Sequence, residues 1–129
     1  MTKRILIVDD ERHVGTLLAH TLDDMEDAGV ELLVVDDGRA AVASCGTVAP
    51  DLAFVDTDMP GISGLDVCAA LRQTFPGHSL ALVLLVDKGV VPDADRCADL
   101  HIVECVEKPF DPDRIRALTC AALGFEFDG

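Results

Sequence analysis

Apolar residues form five short runs along the chain, with stretches of helical spacing between them. The first four runs show little alternation with polar residues, which is typical of strands covered on both faces. The runs are Ile5 to Val8, Leu32 to Val35, Leu52 to Val55, Leu80 to Val86 and Ile102 to Val106. We therefore predict five buried strands of a parallel sheet.

The stretches after these runs carry apolar residues three and four positions apart, as one face of an amphipathic helix does. Five helices are predicted. Their expected buried residues are Val14, Leu17, Leu18, Leu22 and Met25 in the first, Ala40, Ala41 and Val42 in the second, Leu65, Val67, Cys68 and Leu71 in the third, Ala94, Cys97 and Ala98 in the fourth, and Ile115, Leu118, Ala122 and Leu123 in the fifth. Gly29 is expected to close the first helix, with Pro92 and Pro112 in the first turns of the last two.

The alternation of strand and helix predicts a doubly wound α/β fold, with right-handed crossovers and helices on both faces of the sheet. Ligands of such sheets bind at the carboxyl ends of the strands. The residues that follow the five runs are Asp9-Asp10, Asp36-Asp37, Asp56-Thr57-Asp58, Asp87-Lys88 and Glu107-Lys108. We interpret Asp36 and Asp37 as solvated loop residues and the other acids as candidates for a site.

Asp9, Asp10 and Asp56 come close together if the first and third strands are neighbours. Three adjacent carboxylates repel one another and hold protons when no cation is present. Mg²⁺ prefers a few carboxylates together with water and phosphate oxygens, so it would relieve this repulsion, with Mn²⁺ as a substitute. Lys108 adds another positive charge, and the pattern predicts a site prepared for a phosphoryl group.

Length, composition and charge narrow the function classes. The chain has 129 residues, of which 50% are apolar and 4% aromatic, and this fits one domain with an aliphatic core. A net charge of -14 argues against direct binding of nucleic acid or of an anionic membrane. The five cysteines are scattered without a C-x-x-C pair, as expected of small buried residues in a reducing compartment. With no signal peptide or membrane-spanning run, we expect a cytoplasmic protein.

Three segments, ILIVDDE, DLAFVDTDMPGISG and KPF, resemble the hallmarks of the receiver domains of two-component response regulators. The resemblance covers residues 4 to 123 and implies a flavodoxin-like (CheY-like) sheet of order 2-1-3-4-5. It also implies that Asp56 accepts a phosphoryl group from a histidine kinase or phosphotransfer protein. Asp9, Asp10, Asp56 and the backbone carbonyl of Asp58 would hold the metal, and Lys108 would contact the phosphoryl group, with a cis peptide before Pro109.

The resemblance implies a domain over residues 1–124, with 125–129 as a tail or the start of a linker. An output domain or target protein is expected as a partner, and the face formed by the fourth helix, fifth strand and fifth helix is a candidate homodimer contact. The domain is expected to signal rather than to turn over a substrate. A more distant alternative is an aspartyl-phosphate phosphatase of the haloacid-dehalogenase type, because Asp56-Thr57-Asp58 also fits its DxD motif.

Two positions depart from the family pattern. Val86 stands where these domains usually carry Thr or Ser, and no hydroxyl residue occurs between Ser79 and Thr119. Cys105 replaces the usual aromatic residue, and the chain has no tyrosine. A hydrogen bond to a charged group contributes about 1.5–3 kcal/mol, so its loss weakens the expected switch.

Two interpretations stay open. Phosphorylation could proceed with a weak or rerouted response, or the domain could be a docking module that works without phosphorylation. Asp87 stands where the family usually has a small residue. It could repel the phosphoryl donor, form an ion pair with Lys88 or be a solvated loop charge. The Asp58 side chain is a further candidate modulator.

Overall fold

The computed structural model describes residues 3–23, 25 and 29–124. The main sheet contains five strands, which we label β1 to β5, and five α-helices, α1 to α5, follow them in turn. The strands are Lys3–Val8, Val30–Val35, Leu52–Asp56, Ala81–Val86 and Ile102–Glu107, and the helices are Arg12–Thr21, Ala41–Cys45, Gly64–Thr74, Ala94–Asp99 and Pro112–Leu123. A 3-10 turn, Gly38–Ala40, precedes α2, and a small antiparallel ladder joins Asp58–Met59 to Ile62–Ser63.

All neighbouring strands of the main sheet are parallel and lie in the order β2-β1-β3-β4-β5. This confirms the predicted α/β fold and strand order. The chain begins in the middle of the sheet, winds outward to β2 and then returns past β1 to β3. The reversal places the carboxyl ends of β1 and β3 side by side, where ligands of doubly wound sheets bind.

Two apolar layers explain why the central strands are apolar at every position. Successive side chains of a strand point to opposite faces. In β1, Ile5 and Ile7 pack in the layer under α1 and α5, while Leu6 and Val8 pack in the layer under α2, α3 and α4. Both faces are therefore buried, and period-two alternation disappears from the sequence.

Several predicted helix positions are wrong. Leu17 is 48% exposed, because it points away from the sheet on α1. On α4, Ala94 and Ala98 are exposed and no residue is fully buried, since this helix is only six residues long. Pro92 lies before the helix, whose first turn is capped by the carboxylate of Asp93 rather than set by the proline.

The ends of other helices also differ from the prediction. In α5, Ala122 is exposed, whereas Thr119 and Cys120 are buried in its place. The Thr119 hydroxyl donates to the carbonyl of Ile115, which satisfies a buried polar group within the helix. Ala40 belongs to the 3-10 turn rather than to α2. The first helix ends at Thr21 with Leu22 as its C-cap, so Gly29, which has a positive φ of 88°, does not close it as predicted.

None of the helices in the described residues is long and apolar enough to cross a membrane. The tail predicted at residues 125–129 lies outside the described residues.

Candidate functional site

Four side chains singled out in the sequence meet at the carboxyl edge of the sheet. Asp9 and Asp10 directly follow β1, and Asp56 is the last residue of β3, its immediate neighbour in the sheet. Lys108 directly follows β5, and its backbone N–H donates to the carbonyl of Val86 at the end of β4 over 2.7 Å. The strand register alone therefore brings the acids and the lysine to one place.

The three carboxylates form a compact cluster. Asp9, Asp10 and Asp56 each offer an oxygen, and these oxygens all lie within 4.8 Å of one another. Asp9 and Asp56 are only 1% and 2% exposed, while Asp10 is exposed. Two carboxylates of the cluster are thus buried, and the third is open to solvent.

The ammonium group of Lys108 lies across the buried side of this cluster. Its Nζ is 3.1 Å from Asp9 Oδ2 and 3.4 Å from Asp56 Oδ1. The Lys108 side chain is 12% exposed, so these ion pairs are shielded from water. The peptide bond between Lys108 and Pro109 is cis, as expected from the family resemblance.

Charge crowding shifts the ionisation of the cluster. Burial, followed by the charge of Asp9, raises the pKa of Asp56 to about 7, against the opposing effects of Lys108 and of the Asp58 N–H. Burial also raises the pKa of Asp9, partly offset by the Glu11 N–H and by Lys108. Burial alone would lower the pKa of Lys108, but Asp9, Asp56 and Glu11 outweigh it and raise that pKa.

One lysine does not satisfy the cluster. Asp9 Oδ2 is the buried side-chain oxygen that, among the described residues, lacks a hydrogen bond of good geometry, although Lys108 Nζ lies 3.1 Å away. A buried carboxylate oxygen without a donor is costly unless a cation compensates it. The donor set of carboxylate oxygens is the kind that a hard divalent cation prefers. The residues present therefore fit such an ion.

The backbone around Asp56 is held tightly. Asp58 N–H points to Asp56 Oδ1 over 3.4 Å, and Thr57 donates through both its N–H and its hydroxyl to the carbonyl of Leu85. Gly64 packs so closely that a Cβ added there would lie 2.2 Å from the carbonyl oxygen of Asp56. Only glycine fits this position, which fixes the segment following β3 against the start of α3.

The two departures from the family pattern lie close to this edge. Val86 is buried at the end of β4, and Cys105 is half-buried on β5 opposite Leu84. Both contact the apolar layer under α2, α3 and α4. Neither side chain offers a hydroxyl group at this place.

The remaining candidate modulators are exposed. Asp58 presents its side chain to solvent, as do Asp87 and Lys88 in the loop after β4. The ion pairs of the described residues do not join Asp87 to Lys88, so the predicted alternative of a pair between them lacks support. Asp36 contacts Arg12 over 3.4 Å, and Asp37 caps the 3-10 turn.

Glu11 also belongs to the site, although the sequence motifs did not single it out. Its Oε2 lies 3.6 Å from Lys108 Nζ, and its backbone N–H donates to Asp9 Oδ1 over 2.9 Å. Three consecutive acids follow β1 in the sequence, and this run could have indicated Glu11. Only the first two acids were expected to have a role. Glu11 is the third acid that lies within 4 Å of the lysine, and its N–H fixes the orientation of the Asp9 carboxylate.

A parallel doubly wound sheet with clustered aspartates and a lysine at its carboxyl edge defines a class of signalling domain. The chain matches the model of the response regulator receiver domain over residues 5–119. It therefore belongs to the response regulator receiver domain family. Membership in this family leaves the haloacid-dehalogenase alternative without support, since that class was suggested by the DxD motif alone.

Individual relatives agree with this assignment. The alkaline phosphatase synthesis transcriptional regulatory protein PhoP of Bacillus subtilis (strain 168) is 33% identical over 126 residues, covering 95% of this chain and 49% of that protein. The DNA-binding response regulator MtrA of Mycobacterium tuberculosis (strain ATCC 25618 / H37Rv) is 30% identical over 123 residues, covering 95% and 51%. The chain thus spans about half the length of the curated relatives it matches.

A solved structure shows the same fold. A response regulator receiver domain protein (CheY-like) from Methanospirillum hungatei JF-1 has a TM-score of 0.78 and 26% identity, covering 95% of this chain and 94% of that chain.

Proposed function

We propose that this receiver domain accepts a phosphoryl group on Asp56 from the phosphohistidine of a histidine kinase or phosphotransfer protein. The observation that carries the proposal is the buried Asp56 carboxylate, which lies beside Asp9, Asp10 and the Lys108 ammonium group. A carboxylate is a competent nucleophile towards phosphorus when nearby positive charge compensates the charge that builds up. Among the described residues, no acid outside this cluster combines burial with such a neighbour.

We assign a Mg²⁺ site, with Mn²⁺ as a substitute, to Asp9, Asp10, Asp56 and the backbone carbonyl of Asp58. The bound ion would supply positive charge to the carboxylates and to the phosphoryl oxygens. The unsatisfied Asp9 Oδ2 and the exposed face of Asp10 support the assignment. Glu11, through its N–H bond to Asp9, is proposed to position the first ligand.

The protein side of the reaction is mainly positioning and charge compensation. An Asp56 oxygen forms the new bond to phosphorus while the bond from phosphorus to the histidine nitrogen of the donor breaks. Lys108, held by its backbone bond to Val86, stabilises the negative charge of the phosphoryl oxygens. The tight contact at Gly64 keeps the Asp56 backbone from moving away from the donor.

The response to phosphorylation is proposed to be weak or rerouted. Val86 cannot donate a hydrogen bond to the phosphoryl group, and Cys105 lacks the bulk of an aromatic ring. Asp87 is proposed to slow donor access by repulsion at the rim. The competing proposal is a docking module that works without phosphorylation, and the same two departures favour it.

Wider assignments are proposed as well. Because the matched relatives are about twice as long, we propose that residues 1–124 form the receiver unit and that 125–129 are a tail or the start of a linker to an output domain. We also propose a cytoplasmic location and a homodimer through α4, β5 and α5. We propose no direct contact of this domain with nucleic acid or membrane.

The decisive experiment is intact-mass measurement after incubation with acetyl phosphate or phosphoramidate in Mg²⁺. We expect a gain of one phosphoryl group that depends on the cation. Asp56→Asn should abolish this gain. Asp87→Asn is the matched control, because it makes the same chemical change at an exposed neighbouring acid, and it should retain the gain or accelerate it.

A protein that gains no phosphoryl group from either donor, while still folded by circular dichroism, would contradict phosphorylation and support the docking module. A gain that persists in Asp56→Asn would instead move the acceptor to another residue.

A further inference from the structure

A short hairpin, residues 58–63, follows Asp56 and rests on the turn between β2 and α2. Its two arms pair as an antiparallel ladder in which Asp58 lies opposite Ser63. We call this segment the acceptor hairpin. Its first residue, Asp58, directs its N–H to Asp56 Oδ1 over 3.4 Å, and the carbonyl of the same residue is the proposed backbone ligand of the metal. The position of the acceptor hairpin therefore affects both the phosphoryl acceptor and the metal site.

The turn between β2 and α2 contacts the acceptor hairpin at two places. A Cβ added to the buried Gly38 would lie 2.7 Å from Ile62 Cγ2 and 3.0 Å from Met59 Cε, so the turn packs directly against the arms of the hairpin. The next residue, Arg39, donates from its guanidinium group to the carbonyl of Gly61 over 3.3 Å. A Cβ added to Gly61 would lie 2.6 Å from a terminal nitrogen of that guanidinium. Arg39 therefore covers the tip of the hairpin.

The bond of Arg39 to a carbonyl stands out among so many acids. The side chain lines a cleft of about 470 Å³ together with Asp10, Asp36 and Asp37. No carboxylate of the described residues forms an ion pair with Arg39, whereas Arg12, at the start of α1, contacts Asp36 over 3.4 Å. In a chain of net charge -14, the guanidinium thus bonds to a backbone carbonyl 22 residues away rather than to an acid. This choice of partner indicates a role in holding the hairpin.

We propose that Arg39 is a positioning residue of the metal site. It holds the Gly61 carbonyl and so fixes the tip of the acceptor hairpin, and the ladder transmits this position to Asp58 at the base. The Asp37 carboxylate accepts a hydrogen bond from the Arg39 N–H over 2.9 Å, which fixes the turn that carries the guanidinium. The inference rests on the proposed metal-dependent phosphorylation, and it adds a residue that acts through Asp58.

A purely electrostatic role of Arg39 would have the opposite sign. A positive charge beside carboxylates repels a divalent cation, so the loss of this charge alone would strengthen cation binding. Loss of the bond to Gly61 would weaken cation binding, because the Asp58 carbonyl would no longer be held in position. Arg39→Ala removes both the charge and the bond. The direction of the change in affinity therefore tells which effect is larger.

The test measures Mn²⁺ binding by the complete folded chain, from the electron paramagnetic resonance signal of the free ion. We expect Arg39→Ala to weaken binding about 3- to 10-fold, as for the loss of one hydrogen bond that supports a metal ligand. Arg39→Lys keeps the charge and a donor for the Gly61 carbonyl, so it should restore part of the affinity. Arg12→Ala is the matched control, since Arg12 pairs with Asp36 instead of the hairpin. This control should bind Mn²⁺ equally or more tightly.

A second measurement needs no metal. In the presence of a chelator, the amides of the acceptor hairpin should exchange their hydrogens about 3- to 10-fold faster in Arg39→Ala than in the unchanged chain. Arg12→Ala should leave this exchange unaltered. Phosphorylation of Arg39→Ala by acetyl phosphate should need more Mg²⁺ for half the maximal rate. The acetyl phosphate concentration that gives half the maximal rate should stay the same.

Mn²⁺ binding by Arg39→Ala that equals or exceeds that of the unchanged chain would overturn the proposal, as would unaltered exchange of the hairpin amides. A higher requirement for acetyl phosphate with the same Mg²⁺ dependence would also overturn it, because Arg39 would then bind the donor. Failure of the proposed function looks different, since the unchanged chain itself would neither bind Mn²⁺ nor gain a phosphoryl group. The positioning role would then fall together with the function that it serves.

Discussion

The Asp56→Asn variant tests the electrostatics of the site without any phosphoryl donor. In the metal-free protein the pKa of Asp56 rises from 3.8 to about 7, mainly because the carboxyl is buried and lies beside Asp9. The folded state therefore disfavours the charged form, which predominates at neutral pH in the unfolded chain. Asparagine has nearly the same shape but no charge, so we expect the variant to be more stable than the unchanged protein.

The sign and size of the effect follow from proton linkage. Below pH 3.8 the carboxyl is protonated in both the folded and the unfolded state, so it does not change the free energy of unfolding. Between pH 3.8 and about 7 only the unfolded chain loses the proton, so the free energy of unfolding falls as the pH rises. At about 1.4 kcal/mol per pH unit, the upper limit is about 2 kcal/mol near pH 5 and about 4 kcal/mol near pH 8. These values already include the attraction of Lys108, which lies 3.4 Å away, and they fall if the buried asparagine amide lacks hydrogen-bond partners.

The assay is urea unfolding of both proteins with a chelator at several pH values. We expect a gain of about 1–3 kcal/mol near pH 8 and a smaller gain near pH 5, levelling off above pH 7. Asp87→Asn is the control, since that carboxyl is exposed, and it should change little. A variant that is destabilised, or whose gain does not grow between pH 5 and 7, would refute the proposed burial of charge.

Four further predictions concern the same edge of the sheet. Gly64→Ala should cost about 1–3 kcal/mol in urea unfolding, because its Cβ would lie 2.2 Å from the Asp56 carbonyl oxygen; a neutral result would mean that the loop can shift freely. Mg²⁺ should raise the melting temperature of the protein, by an amount that shrinks in Asp10→Asn, and an equal rise in both would exclude Asp10 as a ligand. Lys108→Met should slow phosphorylation from acetyl phosphate about 10- to 100-fold, because a charge-assisted hydrogen bond is lost. An unchanged rate would argue against contact between Lys108 and the phosphoryl group. Beryllofluoride, in place of a phosphoryl group, should shift amide resonances near Asp56 but few in α5, and large shifts there would show that the switch is intact.

The fold could be predicted because its signals are redundant. Each central strand is apolar at every position, and such runs leave few alternatives once helices separate them. The position of the site follows from the same pattern, since the residues after β1, β3 and β5 must meet at one edge when the sheet is parallel. Asp9, Asp56 and Lys108 could be identified in this way, although the distances between them could not.

The errors have three physical causes. Leu17, Ala94 and Ala98 share helical spacing with buried residues, but spacing alone does not determine which of the apolar residues face the sheet. Thr119 is buried because its hydroxyl bonds to its own helix, a compensation that hydropathy does not register. Glu11 was missed because its part depends on a contact with Lys108, which is far away in sequence.

The positions of Val86 and Lys108 separate the proposed chemistry from the proposed response. The proposed reaction would need only the ends of β1, β3 and β5, where Asp9, Asp56 and Lys108 lie together. A response through the side chain of Val86 would need a polar group, but this side chain packs into the apolar layer that also contacts Cys97 and Cys105. The hydrogen bonds that join the site to β4 run from the Lys108 N–H to the Val86 carbonyl and from the Thr57 N–H and hydroxyl to the Leu85 carbonyl. A signal from Asp56 would therefore travel to β4 through these bonds of Lys108 and Thr57 rather than through the Val86 side chain.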